Sequence, residues 1–322
     1  GPRPFNKTFG HLRKNKQSFI IKADYLQLKD YLDAFSYPFR INIKNIDTVN
    51  FLKFDITQLI TREYRQLMFD FKIIESLLND LSWHLQTDKI INSNNEEEAS
   101  RIACKLASER INDPYMIVKG HLHTDVLMSE YIKSEYKLLI KGRRLSHIWF
   151  MTFPDNTRSP IIITDGALNI SPNVETKKHI INNVIEFTSR LPNFDPKIAI
   201  LSATEEILPQ MQSSVDAKDL VEWSRIEHPT MDIHGPFAFD NAISSDAAKI
   251  KGISNSVAGN ANVIVVPNVE TGNSLVKIMV NFMNCTAGGF VTGGKSPVVI
   301  TSRSDSSSSR LSSIVNAVLS TL

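Results

Sequence analysis

From about residue 110 onward, short β-branched and apolar runs return at intervals, several of them too apolar to keep one face in water. They are YMIVK (115–119), HIWFMTF (147–153), IIIT (161–164), KIAIL (197–201), NVIVV (262–266), GGFVTG (288–293) and PVVIT (297–301). A strand with one wet face alternates apolar and polar residues, whereas an unbroken β-branched run is covered on both sides. Amphipathic stretches separate the runs. Ala99, Ile102, Ala103 and Leu106 recur at threes and fours, predicting a helix over 99–109. Val174, Ile181, Val184, Ile185 and Thr188 predict another over 172–188, with Ser171-Pro172 as N-cap and first helical position. Leu311, Ile314, Val315, Val318, Leu319 and Leu322 trace one face of a C-terminal helix. Strands alternating with helices predict an α/β fold, with a mostly parallel sheet and helices on both faces. A mixed sheet is the alternative this pattern leaves open. INSNNEEE (91–98) is either a linker or, as preferred here, the capped start of the 99–109 helix.

The first 88 residues differ in style. They hold 14 of the chain's 27 aromatics and almost no glycine, which marks a separate region before the α/β pattern. At 322 residues the chain has room for one large domain or two ordinary ones. A net charge of +2 gives no reason to expect a nucleic-acid or membrane partner. Cys104 and Cys285 form no CxxC, so neither a disulfide framework nor a cysteine-rich zinc site is expected. A reducing cytoplasm is the expected location. No apolar run approaches the length of a membrane span, and the first residues have no leader-like apolar core. The start at Gly1-Pro2, without Met, reads as a trimmed end with natural sequence upstream.

In an open α/β sheet the ligand lies beyond the carboxyl ends of the strands. Four polar clusters fall there: 119–125 (KGHLHTD), Asp165-Gly166, 267–273 (PNVETGN) and 302–305 (SRSD). In 301–310, serine hydroxyls and free N–H groups at a helix start can hold an anion, and Arg303 adds a fork of donors. An ordinary serine-rich cap with a surface arginine is the other reading. His121 and His123 stand two apart, a spacing that matches no zinc pattern, so no metal is expected. Lys119 is either an anion donor in a polar cleft loop or a solvated charge. Lys141, Arg143 and Arg144 either contact phosphates of a long ligand or form a solvated turn. Gly235-Pro236 reads as a turn, with His234 and Asp240 as cleft or structural residues. Neither G-x-G-x-x-G nor the P-loop order occurs, so dinucleotide and P-loop ATP binding are unsupported.

Seven blocks in order carry a resemblance. They are VKGHLHT (118–124), GRRLSHI (142–148), ITDGALNISPNVETK (163–177), ILSATEEILPQMQSSVDA (200–217), GPFAFDNAIS (235–244), VAGNANVIVVPNVETGNSLVK (257–277) and SPVVITSRSDS (296–306). Over about 89–322 the chain resembles the phosphate acetyltransferase and phosphate butyryltransferase family, and is closer to the butyryltransferase branch. The resemblance implies two α/β domains of the isocitrate/isopropylmalate-dehydrogenase-like fold, with a cleft between them, and a homodimer. On it, 89–160 completes the first domain, 161–300 forms the second, and 301–322 closes the cleft. Residues 1–88 are a divergent part of the first domain or a replacement. It implies reversible transfer of a short-chain acyl group between coenzyme A and phosphate, with no obligatory cofactor. Ser302 then steadies the sulfur of coenzyme A, and Arg303 holds the acyl carbonyl or phosphate oxygen; Asp305 joins them as a catalytic residue. Lys119, His123, Thr124, Arg143, Arg144, Glu270, Gly272 and Asn273 are the implied substrate contacts.

The chain departs from the family pattern at named positions. Ser129 stands where relatives carry an arginine, and Ser307, Ser308 and Ser309 where they carry acidic residues. His234 stands where the butyryltransferase branch has aspartate. An arginine's bidentate phosphate contact is beyond a serine. Two alternatives therefore stand beside the acyltransferase. One is a weak or inactive homologue that binds a ligand or protein, including a secreted bacterial factor with a partner surface in 1–88. The other is different chemistry in the same cleft, such as a dehydrogenase or phosphatase.

Overall fold

The computed structural model describes residues 91, 95–109, 115–120, 122–154, 158–300 and 305–321. The aromatic-rich 1–88 and the Ser302-Arg303 pair lie outside the described residues. In chain order the elements are α1 (Glu96–Glu109), β1 (Ile117–Lys119), α2 (Thr124–Tyr131), a 3₁₀ turn (Ser134–Tyr136), β2 (Ser146–Thr152), β3 (Ile161–Thr164), α3 (Val174–Ser189), β4 (Lys197–Leu201), α4 (Gln212–Glu227) and β5 (Asp232–Phe237). They continue with α5 (Phe239–Ile243), α6 (Ser245–Ile250), β6 (Val263–Val265), α7 (Val269–Met283), β7 (Thr286–Thr292), β8 (Val298–Ile300) and α8 (Ser307–Leu319).

These elements form two compact units. Ile140–Gly294 make one, and the described residues up to Leu139 together with those from Lys295 onward make the other. β2 therefore belongs to the unit of 140–294, although the sequence reading counted it with the first domain.

In the 140–294 unit the strand order is β7-β2-β3-β6-β4-β5. β3, β6 and β4 run parallel, as their unbroken apolar runs predict, and β5 lies parallel to β4. β2 is the exception, antiparallel to both β3 and β7. The reason is length: the link from β2 to β3 spans only 153–160 and contains Pro154 and Pro160, whereas a parallel crossover needs a dozen residues or more. β5 was read as a turn because of Gly235-Pro236. It pairs only with β4 among the described residues, and an edge strand tolerates a proline.

Helices cover both faces of this sheet. On one, Phe187 of α3 sits edge-on to Phe150 of β2 and Phe290 of β7, with ring centroids 6.5 and 5.0 Å away. On the other, Met151, Val266 and Ala287 pack with Val276 and Met279 of α7. Lys177 of α3 and Asp216 of α4 form a buried ion pair at 2.7 Å, and Gln212 donates to the same carboxylate. α3 starts two residues later than predicted, because Asn173 is its cap and accepts the Thr176 N–H at 2.9 Å.

In the other unit β1 and β8 pair in parallel, with Lys119 opposite Ile300. α1 begins as read from INSNNEEE: Asn95 accepts the Glu97 N–H at 2.9 Å, and Glu96, Glu97 and Glu98 fill the first turn. Tyr131 is fully buried and donates to the Ser296 carbonyl at 2.6 Å, tying α2 to the approach to β8. Cys104 is buried on α1, and burial pushes its thiol up to about 12. Among the described residues no helix is long and apolar enough to cross a membrane.

Candidate active site

Parallel strands that end in register release their following loops from one edge. Lys119 ends β1 and lies opposite Ile300, which ends β8. The 120–123 loop and the stretch after Ile300 therefore leave from neighbouring positions. Described residues resume at Asp305, which is half-buried. Ser306 then caps α8, its hydroxyl accepting the Ser309 N–H at 3.2 Å and meeting the Ser308 hydroxyl at 2.9 Å. Ser129, on α2, is exposed and donates to its own helix at the Val126 carbonyl, 2.9 Å away.

Lys119 is buried, and its ammonium donates to the carbonyls of Leu122 (2.9 Å) and Gly120 (3.4 Å). It thus closes the loop that follows it. The far end of the loop is pinned from α1. Glu96 accepts the backbone N–H of His123 at 2.8 Å, and the same carboxylate oxygen lies 2.9 Å from Nδ1 of the His123 ring. Thr124, half-buried, opens α2. Sequence reasoning missed Glu96, because a contact across 27 residues leaves no local spacing to read.

The 140–294 unit has its own polar edge. Ser146 pairs with Thr292, Ile148 with Thr164, and Thr164 with Val265. The start of β2 and the ends of β3, β6 and β7 therefore share one edge. Arg143 and Arg144 enter there, but Arg143 is committed. Its Nε donates to Asn183 at 2.7 Å, and its guanidinium also pairs with Glu186, both on α3. Arg144 is exposed, and its carbonyl accepts the Asn183 amide at 2.9 Å.

At the same edge, Asn268 caps α7 by accepting from the Thr271 N–H at 3.0 Å and the Thr271 hydroxyl at 2.7 Å. Glu270 and Asn273 are exposed on the first turn, while Gly272 is buried. A Cβ on Gly272 would stand 2.6 Å from the Gly166 Cα, so only glycine lets the helix meet the loop after β3 this closely. Asp165 anchors that loop. Its buried carboxylate accepts N–H groups of Ala167 (3.0 Å) and Leu168 (2.9 Å) and the Asn169 side-chain amide (2.6 Å). Burial pushes its pKa up, and these hydrogen bonds only partly oppose the shift.

Beside it on β2, His147 is fully buried, and neither ring nitrogen has a hydrogen-bond partner among the described residues. Its ring lies 4.5 Å from that of Trp149, and burial drives its pKa down to about 3. His234 stands within β5, three residues short of the strand's end, and burial pushes its pKa down as well. Among the described residues no group of three or more His, Cys, Asp or Glu is placed to hold a metal ion. Of the residues singled out from sequence, Lys119, His123, Thr124 and Asp305 lie in one unit. Arg143, Arg144, Glu270, Gly272 and Asn273 line one edge of the other.

Comparison with known proteins gives a consistent result. The family model described as Phosphate acetyl/butaryl transferase matches residues 116–321. A phosphate acetyltransferase of Rhizobium meliloti is 40% identical over 205 residues, which cover 63% of this chain and 64% of that protein. The chain thus spans less than two thirds of that relative's length. A probable phosphate butyryltransferase of Bacillus subtilis is 34% identical over 244 residues, covering 75% of this chain and 80% of that protein. Among solved structures, a branched-chain phosphotransacylase from Enterococcus faecalis aligns with a TM-score of 0.64 at 33% identity, covering 73% of this chain and 83% of that one.

Proposed function

We propose, for a chain that belongs to the phosphate acetyl/butaryl transferase family, that it moves a short-chain acyl group reversibly between coenzyme A and inorganic phosphate. The reading is supported above all by the alignment of Lys119 with Ile300. It lets the 119–124 loop and the stretch that carries Ser302 and Arg303 start from adjacent strand ends.

The chemistry sets what these residues must do. A phosphate oxygen attacks the thioester carbonyl, negative charge grows on the carbonyl oxygen, and the coenzyme A thiolate departs. Donors fixed in advance where that charge develops contribute most to the rate. Arg303 is the proposed donor to the carbonyl or phosphate oxygen, and Ser302 steadies the sulfur. Lys119 contributes its charge while its N–H groups brace the loop. Within the 140–294 unit, Glu270, Gly272 and Asn273, with the exposed Arg144 at the same edge, are the residues that the family resemblance assigns to substrate contact. Within the family we favour the butyryltransferase branch, which predicts a higher kcat/KM for butyryl-CoA than for acetyl-CoA. The family resemblance also supports a homodimer, which light scattering tests.

The direct experiment adds coenzyme A or butyryl-CoA in a thermal-shift assay and then compares turnover with that of Arg303→Ala. Bound ligand raises the unfolding midpoint. Loss of one such donor lowers turnover about 10²–10³-fold. Cys104→Ala leaves turnover unchanged, because its thiol is buried and protonated at neutral pH. One observation favours a second reading, a ligand-binding member without catalysis. Ser129 turns its hydroxyl back onto its own helix and offers no cationic contact. Binding of coenzyme A without any turnover would select that reading.

A further inference from the structure

Acyl transfer to coenzyme A requires that the thiol lose its proton as sulfur attacks, and the reverse requires that the departing sulfur regain it. His123 is the described side chain best set up for this exchange. Its ring is 67% exposed, and as the residue preceding α2 it makes no side-chain cap bond. Glu96 Oε2 accepts the His123 backbone N–H and lies 2.9 Å from Nδ1. An ionised carboxylate oxygen only accepts, so Nδ1 carries the hydrogen and the Nε2 lone pair is left as the base. A carboxylate that fixes an imidazole's tautomer and direction in this way is the orienting half of an acid–base dyad. Glu96 on α1 is the charged group that the structure places against the ring.

We propose that His123 is the acid–base residue for the coenzyme A sulfur and that Glu96 positions it; this rests on the acyl-transfer reading above. In the direction that consumes acyl phosphate, Nε2 takes the thiol proton while sulfur bonds to the carbonyl carbon. The carbon–oxygen bond to phosphate then breaks, and phosphate leaves with the electron pair. In the other direction a phosphate oxygen attacks and the carbon–sulfur bond breaks. The imidazolium Nε2–H returns its proton to sulfur.

The test measures the pH–rate profile for acyl phosphate plus coenzyme A in the full chain, with His123→Gln, His123→Ala and Glu96→Gln. The dyad predicts that His123→Gln lowers kcat about 10²–10⁴-fold and removes the acidic limb of the profile. The KM for coenzyme A changes little. Added imidazole restores part of the His123→Ala rate, since the ring position is open to solvent. Glu96→Gln gives an intermediate loss in kcat. A fall in kcat with the acidic limb intact and no imidazole rescue would mark a role confined to bracing the loop, and would overturn the proposal. So would an active wild type unaffected by His123→Gln. A wild type with no turnover on any short acyl group removes the acyl-transfer reading itself and the dyad with it.

Discussion

When solvent is taken from pH 7 to pH 5, a hydrated imidazole becomes almost wholly charged, but His147 cannot follow. It is fully buried, and burial holds its pKa near 3 instead of the ordinary 6.5. A basic group whose pKa is depressed by folding contributes stability above the unfolded value and loses it as pH falls toward the folded value. The window is therefore about 6.5 down to 3. At pH 5 the unfolded chain gains about 2 kcal/mol from protonating this one ring, against about 0.2 kcal/mol at pH 7. Asp165 acts in the opposite sense. Its raised pKa contributes stability at low pH that is lost as pH rises through the folded value. The partly exposed His234, also depressed, adds a smaller loss in the same direction as His147. The wild-type slope is thus a net value, and a variant isolates the ring. Urea unfolding at both pH values, for wild type and His147→Gln, is the assay. The wild type should lose about 2 kcal/mol more than the variant on going to pH 5. Equal losses in the two proteins would refute the reasoning.

Packing gives further expectations, each read from denaturant midpoints. Phe187→Ala empties the space between Phe150 and Phe290 and should cost about 3–5 kcal/mol. Lys177→Met leaves Asp216 buried without its cation and should cost about 3–5 kcal/mol, whereas replacing both residues by apolar ones should recover most of it. Gly289→Ala drives a Cβ to 2.5 Å from the Trp149 ring and 2.8 Å from His147, and overpacking of this kind costs about 1–3 kcal/mol.

What could be read beforehand followed local physics. Unbroken runs such as IIIT and KIAIL announced buried parallel strands, and Asn95 with three glutamates announced the start of α1. HIWFMTF carries the same apolar signature but runs antiparallel, because strand direction is set by the link to the next strand and not by the strand's own residues. β5 was hidden by its Gly-Pro, whose turn preference yields at a sheet edge. In the candidate site, the loop beginning at Lys119 was legible as a polar strand end. The bond from Glu96 to His123 was not, since chain folding alone brings α1 to that loop. Arg143 shows the converse: its local sequence offers a cation for phosphate, while its fold partners Asn183 and Glu186, some forty residues on, hold the guanidinium.

The acyl-transfer reading is tested most directly by following free thiol released from butyryl-CoA before and after addition of inorganic phosphate. The account predicts thiol release that waits for phosphate, with an equal amount of acyl phosphate formed, and its near-complete loss in Arg303→Ala. Release that ignores phosphate, or none from acetyl-, propionyl- or butyryl-CoA, would contradict it.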